Sequence, residues 1–340
     1  MVAPCFLGVS ASVQGASPGH ECNQDAVHCG LLGDDGMLIA VADGHGSVRS
    51  FRSQQGAALA VQQAALQWSS LPPTEPARGV KRWLETSFPA RLVAGWRETV
   101  RHHAEAHPLS ERERARYQEA YRRPPPAELP PELYGTTLLA AAVRPGYLAI
   151  AQLGDGDVLL LDEEGHALRP LVEDPRHLAN QTTSLSGASA VSDLRTSFQT
   201  LLDQPPAMIL LSTDGYPNCF QTPQYFEQAA ADILLKLRRR GLGWVRERLP
   251  GWLSEASRLG SGDDATVALL VREDLVAENA PTPRQEPRGR PNAPPQMASL
   301  IQGMIGESSP GKPRPAGEDG EDEPALDGGP AGAGGERTEP

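Results

Sequence analysis

The sequence predicts an α+β sandwich within residues 1–275, and three observations carry that prediction. Strand-like and helix-like segments are grouped rather than strictly alternating, which disfavours a doubly wound parallel sheet. Residues 136–161 read as three short strands joined by tight turns at Pro145-Gly146 and Gly154-Asp155-Gly156, the pattern of an antiparallel meander. Residues 206–212 are almost wholly apolar, as a strand covered on both faces must be.

In chain order, residues 8–14 alternate Val9, Ala11 and Val13 with small polar residues, and further strands are expected at 25–32 and 37–42. Ala57, Ala60, Val61, Ala64, Ala65 and Trp68 recur at helical spacing, and a second helix is expected over 80–106. The polar stretch 108–132 ends in two proline clusters and reads as an exposed insertion. After the strands at 136–143, 147–153 and 158–161, residues 170–205 read as a loop or flap beside a site, with Asn180 to Ser184 at its centre. The strand at 206–212, helices at 223–240 and 242–259 and a strand at 265–272 complete the domain.

Residues 276–340 are rich in Pro, Gly, Ala and Glu, lack aromatics, and are expected to form a disordered acidic tail, since they cannot bury enough apolar surface to offset chain ordering. Within it, residues 297–305 are a short apolar stretch of the kind that docking peptides use or that occurs by chance in a linker. The formal net charge of -12 argues against nucleic-acid binding and against an anionic membrane surface. No apolar run approaches the roughly 18 residues of a membrane-spanning helix, and the N-terminus lacks the pattern of a secretory signal, so a cytoplasmic monomer is expected. Cys5, Cys22, Cys29 and Cys219 form no CxxC pair and are expected to be reduced packing residues.

Four times an apolar run meets an aspartate beside glycine or another aspartate: at Asp43-Gly44, Asp155-Gly156, Asp214-Gly215 and Asp263-Asp264. Singly, each reads as a turn. Together, and joined by Asp25 at the start of a strand, they place carboxylates at one edge of a sheet, where their repulsion is costly unless cations neutralise it. Oxygen ligands without histidine or thiolate favour Mg²⁺ or Mn²⁺ over zinc. Two such ions about 3.5–4 Å apart can share a hydroxide that attacks phosphorus in line.

The ordered series Asn23-Gln24-Asp25-Ala26, Asp43-Gly44-His45-Gly46, Gly135-Thr136-Thr137, Gly154-Asp155, Ser212-Thr213-Asp214-Gly215 and Asp263-Asp264-Ala265-Thr266-Val267 resembles the motif series of the bacterial branch of the protein phosphatase type 2C family. The resemblance implies a central β-sandwich of two antiparallel sheets flanked by helices, with a metal centre at one end. It implies that Asp25, Asp43, Asp214 and Asp263, with the carbonyl of Gly44, hold two core ions, that Asp155 holds a weaker third, and that His45 is the general acid. It further implies phosphorylated proteins, products of a serine/threonine kinase, as substrates. Two positions depart from the family pattern. His20 stands where many relatives place a phosphate-gripping arginine, leaving Arg49 or Arg52 to substitute, and Asn218 stands where some relatives have a third-metal aspartate. A catalytically weak phosphoprotein-binding adaptor, or a hydrolase of small phosphate esters, are the competing readings.

Overall fold

The computed structural model describes residues 4–18, 22–72, 74–172, 182–201 and 205–277. Ten strands are described: β1 (Phe6–Val13), β2 (Ala26–Leu32), β3 (Gly36–Ala42), β4 (Leu138–Arg144), β5 (Tyr147–Leu153), β6 (Asp157–Leu161), β7 (Ala167–Leu168), β8 (Arg195–Thr200), β9 (Met208–Ser212) and β10 (Ala265–Arg272). They form two five-stranded antiparallel sheets, ordered β1-β10-β9-β6-β7 and β2-β3-β4-β5-β8.

Side-chain alternation explains why strands such as β4 are buried along their whole length. Leu139, Ala141 and Val143 meet Ile209, Leu211, Ala268 and Leu270 of the opposite sheet, whereas Leu138, Ala140 and Ala142 face the first helical layer. That layer contains α1 (Ser53–Ser69), α2 (Ala77–Thr86) and α3 (Phe88–Ala106), with Trp68, Phe88 and Trp96 fully buried. On the other side α6 (Pro223–Arg240) and α7 (Leu242–Leu259) cover Met208, Leu210, Val267 and Leu269. The order is therefore helix, sheet, sheet, helix, the sandwich that the motif series implied.

Several elements differ from expectation. The helix expected over 80–106 is two, broken at Ser87, with Pro89 in the first turn of α3, where a missing N–H costs nothing. The stretch 108–132 is not merely an exposed insertion: it carries α4 (Glu111–Tyr121), whose Tyr117 is fully buried. Ser110 and Glu113 form a reciprocal capping box at its start, a signature present in the sequence as Ser110-Glu111-Arg112-Glu113. The expected flap contains a short helix, α5 (Ala190–Asp193), and the edge strand β8, whose half-buried Phe198 stacks on Tyr147. Of the cysteines only Cys219 is buried, and Cys5 is exposed. The tail from residue 278, the 297–305 stretch, His20, Asn180 and Gln181 lie outside the described residues. No helix among the described residues is long and apolar enough to cross a membrane.

Arg52 shows how α4 is tied to the domain. Its Nε donates to Glu113 Oε1 at 2.7 Å, and its Nη1 donates to the His107 carbonyl and the Tyr134 hydroxyl, both at 2.8 Å. Only 5% exposed, with Nε and Nη1 bound within the fold and its charge paired to Glu113, Arg52 is placed to hold α4 rather than a phosphate, which disfavours one of the two substitutes expected for His20. The same contacts hold Glu113 down at about 2, the hydrogen bonds and charge of Arg52 and Ser110 outweighing its burial. A carboxylate depressed in the folded state contributes stability above its unfolded pKa of roughly 4.5 and loses it as pH falls toward 2. Glu113→Gln should therefore lower stability by about 2 kcal/mol at pH 7. Denaturant titrations should show that gap closing between pH 4.5 and 2; a gap independent of pH would assign Glu113 a packing role only.

Candidate active site

Antiparallel register brings the predicted carboxylates to one end of the sandwich. Asp43 follows the last residue of β3 and Asp25 precedes the first of β2, strands paired Ala26 to Ala42. Asp214 lies just beyond β9 and Asp263 just before β10, strands paired Ser212 to Val267. Asp155 lies in the turn leaving β5, two residues before Asp157, which also pairs with Ser212. Strand ends suit carboxylates, since the middle of either sheet is apolar on both faces.

The electrostatics show that these groups share one environment. Burial, opposed by hydrogen bonds from Thr213 and Thr266 and reinforced by the charges of Asp264 and Asp214, pushes Asp25 up to about 8. Asp43 is held well above the usual carboxylate range by burial, by the charges of Asp25, Asp214 and Asp155, and by a hydrogen bond with Asp214. Asp214 is raised by burial and by the charges of Asp155 and Asp263, against hydrogen bonds with Asp43 and Asn218. Asp43 and Asp214 also share a hydrogen bond, so the two carboxyls titrate as a pair. Burial and like charge thus disfavour the ionised forms of Asp25, Asp43 and Asp214, a cost that a bound cation would offset. The most compact trio of metal-type side chains among the described residues is elsewhere: Asp162, Glu164 and His166 lie within 4.8 Å of one another on the exposed β6–β7 hairpin. His166 bonds Asp162 through Nδ1 at 2.9 Å and through its backbone N–H at 2.8 Å, so that trio closes its own turn.

Around the five aspartates stand hydroxyls to which the sequence reading gave no role, buried at Thr136, Thr137, Thr213 and Thr266 and exposed at Thr182. Thr213 Oγ1 donates to Asp25 Oδ2 at 2.7 Å and accepts from the Thr266 N–H at 3.1 Å. Thr137 Oγ1 accepts from the Asp43 N–H at 2.9 Å, and Thr136 Oγ1 donates to the Asp43 carbonyl at 2.8 Å. Thr182 Oγ1 donates to Asp155 Oδ2 at 2.6 Å, and Asn218 Nδ2 donates to Asp214 Oδ2 at 3.1 Å. Gly44 is required by close approach: a Cβ there would meet the Gln24 carbonyl oxygen at 2.7 Å and the Ser53 carbonyl at 2.8 Å. His45 donates its backbone N–H to the Gly135 carbonyl at 3.0 Å; burial lowers its imidazole pKa, opposed by the charge of Asp155. Arg49, four residues further on, is exposed and lies 5.8 Å over the Tyr121 ring.

Asp264 differs in kind from Asp263. Adjacent residues at a strand start point opposite ways, and Asp264 turns inward, 5% exposed, to accept the Gly15 N–H at 2.7 Å and the Gln24 N–H at 2.6 Å. It thus ties both ends of the β1–β2 connection to β10 and fixes the residue preceding Asp25. The doubled aspartate was the available signal. Asp264→Asn would keep one acceptor and set an amide N–H₂ against a backbone donor, so it should cost about 1.5–3 kcal/mol. The check is the denaturant midpoint with its slope unchanged; wild-type stability would show that the two N–H groups find other acceptors.

Residues 16–254 match the family model for protein phosphatase 2C. No curated protein sequence matches. Among solved structures, the serine/threonine phosphatase Stp1 from Staphylococcus aureus is similar with a TM-score of 0.53 and 14% identity, over 80% of this chain and 98% of that one. The S. agalactiae serine/threonine phosphatase gives 0.51 and 16%, over 79% and 100%. PppA, a key regulatory component of T6SS in Pseudomonas aeruginosa, gives 0.50 and 19%, over 79% and 99%. At these identities the likeness is one of fold. The family match runs from the β1–β2 connection into α7 and takes in Asp25, Asp43, Asp155 and Asp214, while Asp263 follows just before β10, the strand that β9 pairs with. On the length of that match, and on a sandwich that closes around its motifs, the chain belongs to the protein phosphatase 2C family.

Proposed function

We propose that the chain is a metal-dependent phosphatase acting on phosphoserine and phosphothreonine in proteins phosphorylated by a serine/threonine kinase. The observation that carries this reading is the meeting of five aspartates at one end of the sandwich, where burial and neighbouring carboxylates raise Asp25, Asp43 and Asp214. An all-oxygen donor set suits Mn²⁺ or Mg²⁺. Asp25, Asp43, Asp214 and Asp263, with the Gly44 carbonyl, would hold two core ions, and Asp155, with the Asn218 amide beside Asp214, a loosely bound third. Once bound, such ions supply an activated water and offset the negative charge of the phosphoryl group.

The remaining steps fall to the chain's own side chains. His45 would protonate the departing serine or threonine oxygen, because an alkoxide is a poor leaving group. Arg49, exposed and without an ion pair among the described residues, would hold the phosphate; His20 is proposed for the same task on its sequence position alone. The catalytic domain is taken as residues 1–275, ending with the last described helical turn, Glu273–Leu275, and the 276–340 tail stands outside the chemistry.

With the full-length protein, hydrolysis of a phosphothreonine peptide should require Mn²⁺ or Mg²⁺ and stop on chelation. Turnover that survives chelation would eliminate this mechanism, and peptide binding without turnover would favour the adaptor. His45→Ala should slow the phosphopeptide by about 10²–10⁴-fold and p-nitrophenyl phosphate far less, since nitrophenolate leaves unaided. Equal losses on both substrates would remove His45 from the acid role.

A further inference from the structure

Helix α4 makes a second use of the residues that tie it down. Tyr117 stacks on Tyr121 at 4.4 Å, and the Tyr121 hydroxyl donates to the Arg49 carbonyl at 3.2 Å. On the resulting surface the Arg49 guanidinium lies 5.8 Å over the Tyr121 ring and that of Arg116 lies 5.4 Å over Phe51. The charge of Arg123 reaches the same Tyr121 hydroxyl. Arg49, Arg116 and Arg123 are all exposed, and none has an ion-pair partner among the described residues. One carboxylate, Glu132, also acts on the Tyr121 hydroxyl, against the charges of Arg49 and Arg123.

Two blander origins fit less well. Arginines at or just past the C-terminal end of a helix offset its dipole, which accounts for Arg122 at the C-cap and Arg123 after it but not for Arg116 in mid-helix or Arg49 on another element. A generally basic surface is excluded by the net charge of -12. Aromatic faces beneath Arg49 and Arg116 hold flat cations in place without neutralising them, which leaves their donors open to carboxylates. The patch also has a defined position, because Arg49 is on the loop that carries His45, four residues away. An extended peptide advances about 3.3 Å per residue, so residues flanking a phosphoresidue at His45 sample the surface around that loop.

We propose that Arg49, Arg116 and Arg123 form a docking face for acidic residues flanking the phosphorylated serine or threonine, which makes acidic phosphopeptides the favoured substrate class. The inference rests on the phosphatase reading for its catalytic part alone. Arg116 and Arg123, which that reading leaves unused, supply the test in the full-length protein. Two phosphothreonine peptides of equal length, one flanked by Asp and Glu and the other by Asn and Gln, should differ by about tenfold in kcat/KM, and the difference should shrink as salt is raised from about 50 to 300 mM. The double variant Arg116→Ala/Arg123→Ala should lose most of the preference through KM, with hydrolysis of p-nitrophenyl phosphate and thermal stability unchanged. Lysine at both positions should restore it in part. Equal kcat/KM for the two peptides in the wild type, or a preference that the double alanine variant retains, overturns the proposal. Fluorescence anisotropy with the same labelled peptides, without divalent metal, reads docking separately from turnover. Charge-selective binding without hydrolysis would uphold the docking face while sinking the phosphatase reading, and hydrolysis without charge selectivity would do the reverse.

Discussion

Mutual repulsion among Asp25, Asp43, Asp155, Asp214 and Asp263 is the constraint around which this domain is arranged. Folding brings together charges that the unfolded chain keeps apart, so the native state bears a cost that grows as pH rises and Asp25, Asp43 and Asp214 lose their protons. The cost is tolerable because the carboxylates sit where two well-packed sheets end. Each strand that delivers one is held by a full ladder and by a core in which Leu139, Leu210, Val267 and Leu269 are wholly buried. Those strands cannot relax apart to separate the charges without unpairing the sheets.

A layer of neutral donors and acceptors sets the directions of these side chains. Thr213 faces Asp25, Thr137 faces the Asp43 backbone, and Thr266 links Thr213 to Ser12, through which Asn23 is also held. Hydroxyls suit this position because each can donate to a carboxylate and accept from a backbone N–H in the same geometry, and they add no charge to a crowded site. Asp264 is the exception that tests the point. It adds a sixth negative charge near Asp25, yet it spends both oxygens on N–H groups at the two ends of the β1–β2 connection, and its charge serves to hold the backbone.

How much of this could be read beforehand depended on whether the deciding interaction was local. The strands with apolar runs were legible because alternation is written in neighbouring residues, and the aspartates were legible because Asp-Gly and Asp-Asp pairs interrupt those runs abruptly. Helix α4 was not: apart from Tyr117 and Tyr121 it is polar, and its one strong local signal, the Ser110 to Glu113 capping box, sits after a proline in a stretch whose later prolines suggested a loop. Strand β8 was missed because it is an edge strand whose only large apolar side chain is Phe198, so it lacks the two-residue pattern. The roles of Thr137, Thr213 and Asp264 depend on partners separated by 94, 188 and up to 249 residues, a distance over which no spacing rule operates.

The two arginines that follow His45 show the same distinction between kind of residue and surroundings. Arg49 and Arg52 are three positions apart, and composition gives no reason to prefer one as an anion ligand. Burial separates them. Arg52 points inward, where leaving any donor unpaired would cost more than the pair is worth, and so it is satisfied three ways and holds α4 to the start of α1. Arg49 points outward onto an aromatic ring, which steadies its plane without consuming its hydrogen-bonding capacity. One insertion thus acts on the His45 loop in two ways: Glu113 closes off the inner arginine, and Tyr121 presents the outer one. The polar stretch that first read as an exposed connection is the element that decides which positive charge on that loop remains available to a ligand.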